Sequence, residues 1–466
     1  MSPRSTTIMP RVALDPEKSI AERLKEGKLI RDQVPRHSHA VWKASPHRRN
    51  PIDILIESSK GRIPELLPIR YGRMVQSPFT FYRGAAAIMA ADLAKTPVSG
   101  IFTQICGDCH LLNFGGFATP ERKIIFDVND FDETLPGPWE WDLKRLVTSF
   151  VIASRQDHFT KDVAREAALT CARSYRKHMA EYSLMKPLEV WYACLDVDTV
   201  IENMKDKTAR RNLKRRISRV IARDVKEEDY PKLAESSRGK NRIKDNPPLI
   251  YHPPESFEKD FEQNVRETYK KYINTLLEDR RILLKRYLIQ DVAIKVVGVG
   301  SVGTWCGIVL LMARGRDPLF LQVKEARASV LEPYLGKSAY SNHGQRVVSG
   351  QRLMQSASDI FLGWTVGKEG RHFYIRRLRD MKIKPQVEIF HPDNMIRYAK
   401  FCGWTLARAH AKSGDPALIS GYLGKANNMD RALLAFAEAY ADQNEKDHQA
   451  LLEAVNQGRI RAYLER

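Results

Sequence analysis

Apolar positions along the chain recur with two different periods. The run RGAAAIMAADLA (83–94) reads as a helix. From Ile101 the pattern changes: the apolar stretch IFTQI leads into the turn residues Gly107-Asp108, and a second run, KIIFDV, leads into Asn129-Asp130. Gly115, Gly116 and Pro120 predict a loop between the two runs, so 101–132 reads as strand, loop, strand, loop. Residues 291–326 predict a strand, a Gly-rich hairpin, a strand, a turn and a strand ending at Lys324. GQRVVSGQRLMQSASDIF then reads as a helix, HFYIRRLRDM (372–381) as a strand, and MIRYAKFCGWTLARAHAKSGD (395–415) as an amphipathic helix. The elements predict an α+β protein.

Length and composition set the scale. At 466 residues the chain is long enough for two or three packed units, and 43% hydrophobic residues suffice for a sizeable core. No apolar run reaches the roughly 18 residues of a membrane span. The opening MSPRSTTIMPRVALDPEKS is broken by Pro and charge, so no secretory signal is expected and the cytoplasm is the expected compartment. Six scattered cysteines, with one close pair, predict free thiols rather than a disulfide scaffold.

Net charge is +20, which favours polyanions as partners. The densest basic stretch is KDKTARRNLKRRISRVIARDVK, 205–226, with Leu213, Ile217, Val220 and Ile221 at helical spacing. It reads as a solvated helix with one buried stripe, or as a polyanion-contacting surface.

The segment IFTQICGDCHLLNFGGFATPERKIIFDVNDFD gathers Asp108, Asn113, Asp127, Asp130 and Asp132 near strand ends. Carboxylates collected there repel one another unless a cation compensates them, and Mg²⁺ takes one or two carboxylates together with substrate phosphates. Three other readings of the stretch exist. Cys106-Gly-Asp-Cys109-His110 is a formal haem-attachment signature, which needs export and leaves the acids unexplained. A zinc site from the same cysteines and His110 lacks a second ligand pair. A structural turn with capping acids is the third.

Gly107-Asp108-Cys109-His110-Leu111-Leu112-Asn113 resembles the catalytic loop of aminoglycoside and choline phosphotransferases, typically HGDxHxxN, with Cys106 where the first His would stand. NDFDETLPGPWEWDL resembles the metal-binding segment of those enzymes. The resemblance implies that Asp108 positions or deprotonates an acceptor hydroxyl. It makes Asn113 and Asp130, with Asp132 beside them, metal ligands, and Asp142 structural. Such chemistry is phosphoryl transfer, in which most catalysis is positioning and charge neutralisation.

Gly298-x-Gly300-Ser301-x-Gly303 matches a Gly-rich fingerprint that means little alone. A dinucleotide site would open into a helix after the third glycine. Here TWCGIVLL follows, which is β-prone, and Lys324 ends the next strand; this is the kinase layout. Glycines admit phosphates close to the backbone and Lys adds a point charge. Arg83 and Arg376 are the further candidates for phosphate contact.

In ordinary kinases the Gly loop and lysine come before the catalytic loop; here they follow it. The expected fold is therefore a protein-kinase-like two-lobed fold, circularly permuted, with additional helices. The predicted division is an extension at 1–60, a catalytic-loop and helical lobe at 61–285, a Gly-rich-loop β lobe at 286–385 and closing helices at 386–466. Either helix 83–94 or helix 395–415, with its Leu406-Ala-x-x-His410 pattern, would precede the catalytic loop in space.

SPFTFYRGAAAIMAADLA, CGDCHLLNFGGFATPER, FDVNDFDETLPGPWEWDLKRL, VGVGSVGTWC, LQVKEA and GQRLMQSASDIFLGW resemble a bacterial family, domain of unknown function 2252, over about 50–430. Ser349 stands where that resemblance implies a Glu to pair with the lysine. The functional expectation is an ATP- and Mg²⁺-dependent phosphotransferase acting on a small-molecule or protein hydroxyl. The alternatives are a non-catalytic nucleotide- or nucleic-acid-binding regulator and a nucleotidyl transferase using the same site.

Overall fold

The computed structural model describes residues 15, 17–202, 207–225, 233–237, 240–247, 249–296, 302–314, 317–378 and 382–463. Its strands are β1 Phe102–Ile105, β2 Phe114–Ala118, β3 Ile124–Val128, β4 Leu135–Pro138, β5 Leu195–Asp196, β6 Ala234–Ser237 and β7 Lys240–Ile243. They continue with β8 Ile250–Tyr251, β9 Leu288–Lys295, β10 Cys306–Ala313, β11 Asp317–Glu325, β12 Gly363–Val366 and β13 His372–Arg377.

The strands expected over 291–326 form, with two different faces. They form an antiparallel sheet in the order β12-β13-β11-β10-β9-β8. On one face Val292, Val309, Leu321 and Ile375 pack with Tyr272 and Leu276 of the helix Glu255–Ile273. On the other, Ala293, Ile308, Leu310 and Phe320 pack with Ala234 and Ile243 of the β6–β7 hairpin. Further along this second face stand Gln322 and Lys324, paired in register with Arg376 and Tyr374. The helix His343–Met354 packs beside β12 and β13.

The rest is largely helical. The helices Trp139–Gln156, Lys161–Tyr182, Pro392–Ser413 and Asn428–Asn456 enclose the largest core, around Trp139, Phe150, Tyr175, Phe401 and Phe436. Helix 392–413 ends against the start of β1, where the Thr103 hydroxyl lies 2.7 Å from the Ser413 hydroxyl and donates to the His410 carbonyl at 3.2 Å. The N-terminal helix Ile20–Gln33 is docked on Pro416–Leu423, with Arg31 donating to the Tyr422 carbonyl at 2.9 Å. None of the described helices is long and apolar enough to cross a membrane.

Two local expectations change. Gly115 and Gly116 are not loop residues but the middle of β2, paired with Asp127 and Phe126. The predicted helix at 83–94 is two, Pro78–Gly84 and Ala86–Leu93, interrupted at Ala85. The basic stretch does form a helix, Lys207–Val225, with Ile217 buried and Leu213 half-buried. All six cysteines are free thiols.

Candidate active site

Short turns after β1 and β3 bring the first set of acids together. Leaving β1, the chain turns at Gly107, whose φ of 81° suits glycine, and presents Asp108. The turn is held from below by Asp142, in the first turn of helix 139–156, whose carboxylate accepts the N–H groups of Cys106 at 2.7 Å and Gly107 at 2.9 Å. His410 of helix 392–413 lies 3.3 Å from the same carboxylate through Nε2. Cys106, Cys109 and Asp142 are a buried group with metal-type ligand atoms. Those hydrogen bonds already occupy the carboxylate, and burial raises both thiols, so the group serves as an anchor for the turn.

Asp108 is gripped by Arg145, one helical turn beyond Asp142. Its Oδ1 accepts Arg145 Nε at 2.7 Å and also Nη2, while the guanidinium lies 4.4 Å over the Tyr82 ring and donates to the Tyr82 carbonyl. The other oxygen, Oδ2, is 4.0 Å from His110 Nε2. Burial raises the Asp108 carboxyl above the ordinary range, with Arg145 opposing. Burial, then Arg83 and Arg145, hold His110 well below its usual value, so the ring is neutral. Asn113 closes the loop by donating its amide to the Asp108 carbonyl, and its own carbonyl accepts Asn129 N–H at 2.8 Å.

That last bond sets Asp130 beside Asn113. The Asp130 carboxylate accepts the Asp132 N–H at 3.3 Å. Burial and then the charge of Asp132 raise its carboxyl, against the pull of Lys324 and Arg376. Lys324, 192 residues beyond Asp132, forms an ion pair with it, and the Tyr374 hydroxyl donates to the other oxygen of Asp132 at 2.7 Å. Burial opposes the Lys324 charge, yet Asp130 and Asp132 outweigh it and raise the ammonium well above its usual range. Arg376, over the same Tyr374 ring, reaches the Asn129 carbonyl at 3.4 Å.

The sequence-derived set thus converges in large part. Asp108, Asn113, Asp130, Asp132, Lys324 and Arg376 form one cluster, and Arg83 faces Asp108 and Asp130 with a buried Nε that has no hydrogen-bond partner. Gly303 is described, with φ 87°, while Gly298, Gly300 and Ser301 lie outside the described residues. No Glu of helix 343–354 meets the lysine; Ser349 sits on that helix and Asp132 is the partner acid.

Four residues of the cluster carried no assigned role in the sequence. Arg145 reads there as a surface or capping cation; its place one turn after Asp142 is the signal that could have linked it to Asp108. Arg346, buried on helix 343–354, donates to the carbonyls of Asp132 at 2.8 Å and Thr134 at 2.7 Å, tying that helix to the acidic turn. Tyr374 holds Asp132. Arg62 donates to the Val302 carbonyl at 2.6 Å and the next residue, Ile63, to the Gly303 carbonyl at 2.7 Å, so an N-terminal segment steadies the end of the Gly-rich loop. No local pattern marks it.

Asp130 and Asn113 offer oxygen donors of the kind a divalent cation takes. Asp130 is a half-buried carboxylate that accepts the Asp132 N–H and has a raised affinity for a proton, which is the state a bound cation relieves. Asn113 is tied to the turn that carries Asp130 through its main-chain carbonyl, which accepts the Asn129 N–H at 2.8 Å. Asp132 is engaged by Lys324 and Tyr374.

A family model described as "Uncharacterized protein conserved in bacteria (DUF2252)" matches residues 62–454. No curated protein and no solved structure matches the chain.

Proposed function

We propose that this protein, which belongs to the bacterial DUF2252 family, is an ATP- and Mg²⁺-dependent phosphotransferase with a circularly permuted kinase-like fold. The observation that carries the reading is the meeting of Lys324 with Asp130 and Asp132 across nearly two hundred residues of chain. A fortuitous match to two separate motifs gives no reason for their side chains to share one cluster.

Three features support it. Lys324 lies near the end of the strand after a β9–β10 hairpin that contains the Gly-rich segment, the order in which kinases present their phosphate-binding lysine. Helix 343–354 packs beside that sheet and holds the acidic turn through Arg346. Helix 392–413 ends against β1, so its His410 reaches Asp142 and the catalytic turn without preceding them in the chain. In this reading helix 392–413 takes the place of the helix that leads into the catalytic loop.

In this reading the side chains divide the work. Arg145 fixes one oxygen of Asp108, and the other orients an acceptor hydroxyl and takes its proton. Asp130 and Asn113 would hold Mg²⁺, which neutralises phosphate charge as it develops on transfer. Lys324 exchanges Asp132 for a phosphate oxygen, and Arg83 and Arg376 supply further positive charge.

The test is calorimetric titration of ATP with and without Mg²⁺ for the wild type, Asp130→Ala and Lys324→Ala. Metal-dependent binding by the wild type, lost in both variants, is expected. Product analysis with γ- and α-labelled ATP then separates phosphoryl from nucleotidyl transfer. A wild type that does not bind ATP overturns the proposal.

A further inference from the structure

A cavity lies away from the acidic cluster, between helix 207–225 and the segment 383–401, with a volume of about 580 Å³. That is the size of pockets that enclose most of a small organic ligand. Its floor is aromatic: Phe126 and Tyr398 meet edge to face at 5.8 Å, and Phe401 lies 6.4 Å from Phe126. Its rim is cationic, with Arg215 and Arg216 from the helix and Lys384 and Arg397 opposite.

Two observations say what charge the occupant carries. None of the described lining residues is an Asp or Glu, although the chain contains 56 of them. Arg397 Nη1 is buried with no hydrogen-bond partner, and its nearest carboxylate, Asp393, is 3.9 Å from Nη2 and itself 81% exposed. A buried guanidinium nitrogen without an acceptor costs free energy that an anionic ligand recovers. Arg216 donates to the Lys384 carbonyl at 3.0 Å, so the two sides of the rim are already joined. Stacked or edge-on rings favour an aromatic body over an aliphatic chain.

We propose that this cavity is a binding site for a small aromatic anion, a flat ring system bearing one carboxylate, sulfonate or phosphate, held by the Phe126–Tyr398–Phe401 floor and the Arg216–Arg397 rim. It is separate from the phosphotransfer cluster, yet it shares a wall with it. Tyr398 donates to the carbonyls of Leu111 at 2.6 Å and Phe114 at 3.1 Å, which bracket Asn113. A ligand against Tyr398 therefore rests on the residue that supports the catalytic loop. The basic helix, whose charge the sequence leaves without an address, thereby acquires one for its Arg215 and Arg216.

Fluorescence titration of the full chain with 8-anilinonaphthalene-1-sulfonate tests this, with the uncharged N-phenyl-1-naphthylamine as the same ring body lacking the anion. The expected result is saturable one-site binding of the sulfonate. Arg216→Gln/Arg397→Gln should weaken it by about tenfold or more, the effect of losing one charge-assisted hydrogen bond of roughly 1.4 kcal/mol. Binding of the uncharged dye should not change. Val197→Trp, at the half-buried wall, should weaken both dyes, and Asp130→Ala should weaken neither. Sulfonate affinity unaffected by the double variant, equal loss of both dyes in it, or loss in Asp130→Ala would each overturn the proposal.

Discussion

At the residue scale, burial decides how the charges behave. Asp130 and Asp132 are neighbouring acids that one lysine and one arginine compensate, and burial still raises Asp130. Asp130→Asn should therefore remove Mg²⁺-dependent ATP binding while leaving the thermal midpoint unchanged or higher, since a repelled carboxylate is replaced by a neutral amide. Melts with and without ATP and Mg²⁺ check both halves. Lys144 gives a pH signature. It is fully buried, donating to the Thr96 hydroxyl at 3.0 Å and lying 4.8 Å from the Phe436 ring. Burial, only partly opposed by Glu140, takes its ammonium from 10.5 to about 7. Between about 7 and 10.5 the folded chain then binds fewer protons than the unfolded chain, so stability rises with pH over that window. Below it the cost of burying the charge is fully present. The expected result is a higher melting temperature at pH 9 than at pH 6 in the wild type and a smaller difference in Lys144→Met.

At the element scale, the site depends on how closely helix 343–354 approaches the turn after β3. Gly350 makes that approach possible: a Cβ there would lie 2.5 Å from Thr134 Cγ2 and 2.6 Å from its hydroxyl. The same hydroxyl donates to the Ile105 carbonyl at 2.6 Å, so the neighbour has little room to yield. Gly350→Leu should destabilise by about 1–3 kcal/mol, the usual cost of overpacking. It should also weaken ATP binding, because the displaced helix carries Arg346 away from Asp132. Gly350→Ala should show a smaller loss of both. Thermal melts and the ATP titration read the two effects on the same samples. Strands β9, β10, β11 and β13 of the large sheet and this helix were legible in the sequence, as β-prone or helix-like runs bounded by turn residues. The short β2 was not, since Phe114-Gly-Gly-Phe-Ala reads as a turn and becomes a strand through pairing with β3 and the bridge from Gly116 to Ile383.

At the scale of the whole molecule, the two ends of the chain hold each other. Arg48 bridges Asp92 and Asp447, donating to both carboxylates at 2.6–2.9 Å in a nearly buried triad. Arg48→Met leaves two buried acids facing each other without a cation, and breaking such a group is expected to cost about 3–5 kcal/mol. The check is a thermal melt beside Arg49→Met, whose ion pair with Glu57 is exposed and should matter little.

The amino-acid sequence by itself determined most of the local elements, β2 and the break at Ala85 excepted, and the types of residue that meet at the cluster. Acids after short strands, glycines in a β-prone run and a lysine ending a strand are patterns a few residues long, and local sterics and periodicity fix them. Only the tertiary structure decided which of those residues share a site and which partner each takes. Lys324 pairs with Asp132 rather than with a helix glutamate, Arg145 grips Asp108, Arg62 holds the Val302 carbonyl, and helix 392–413 stands behind β1. Each of these is a contact between segments far apart in the chain or a choice among chemically equal partners. Charge and hydrogen-bonding capacity allow several answers in such cases, and the packing of the core selects one.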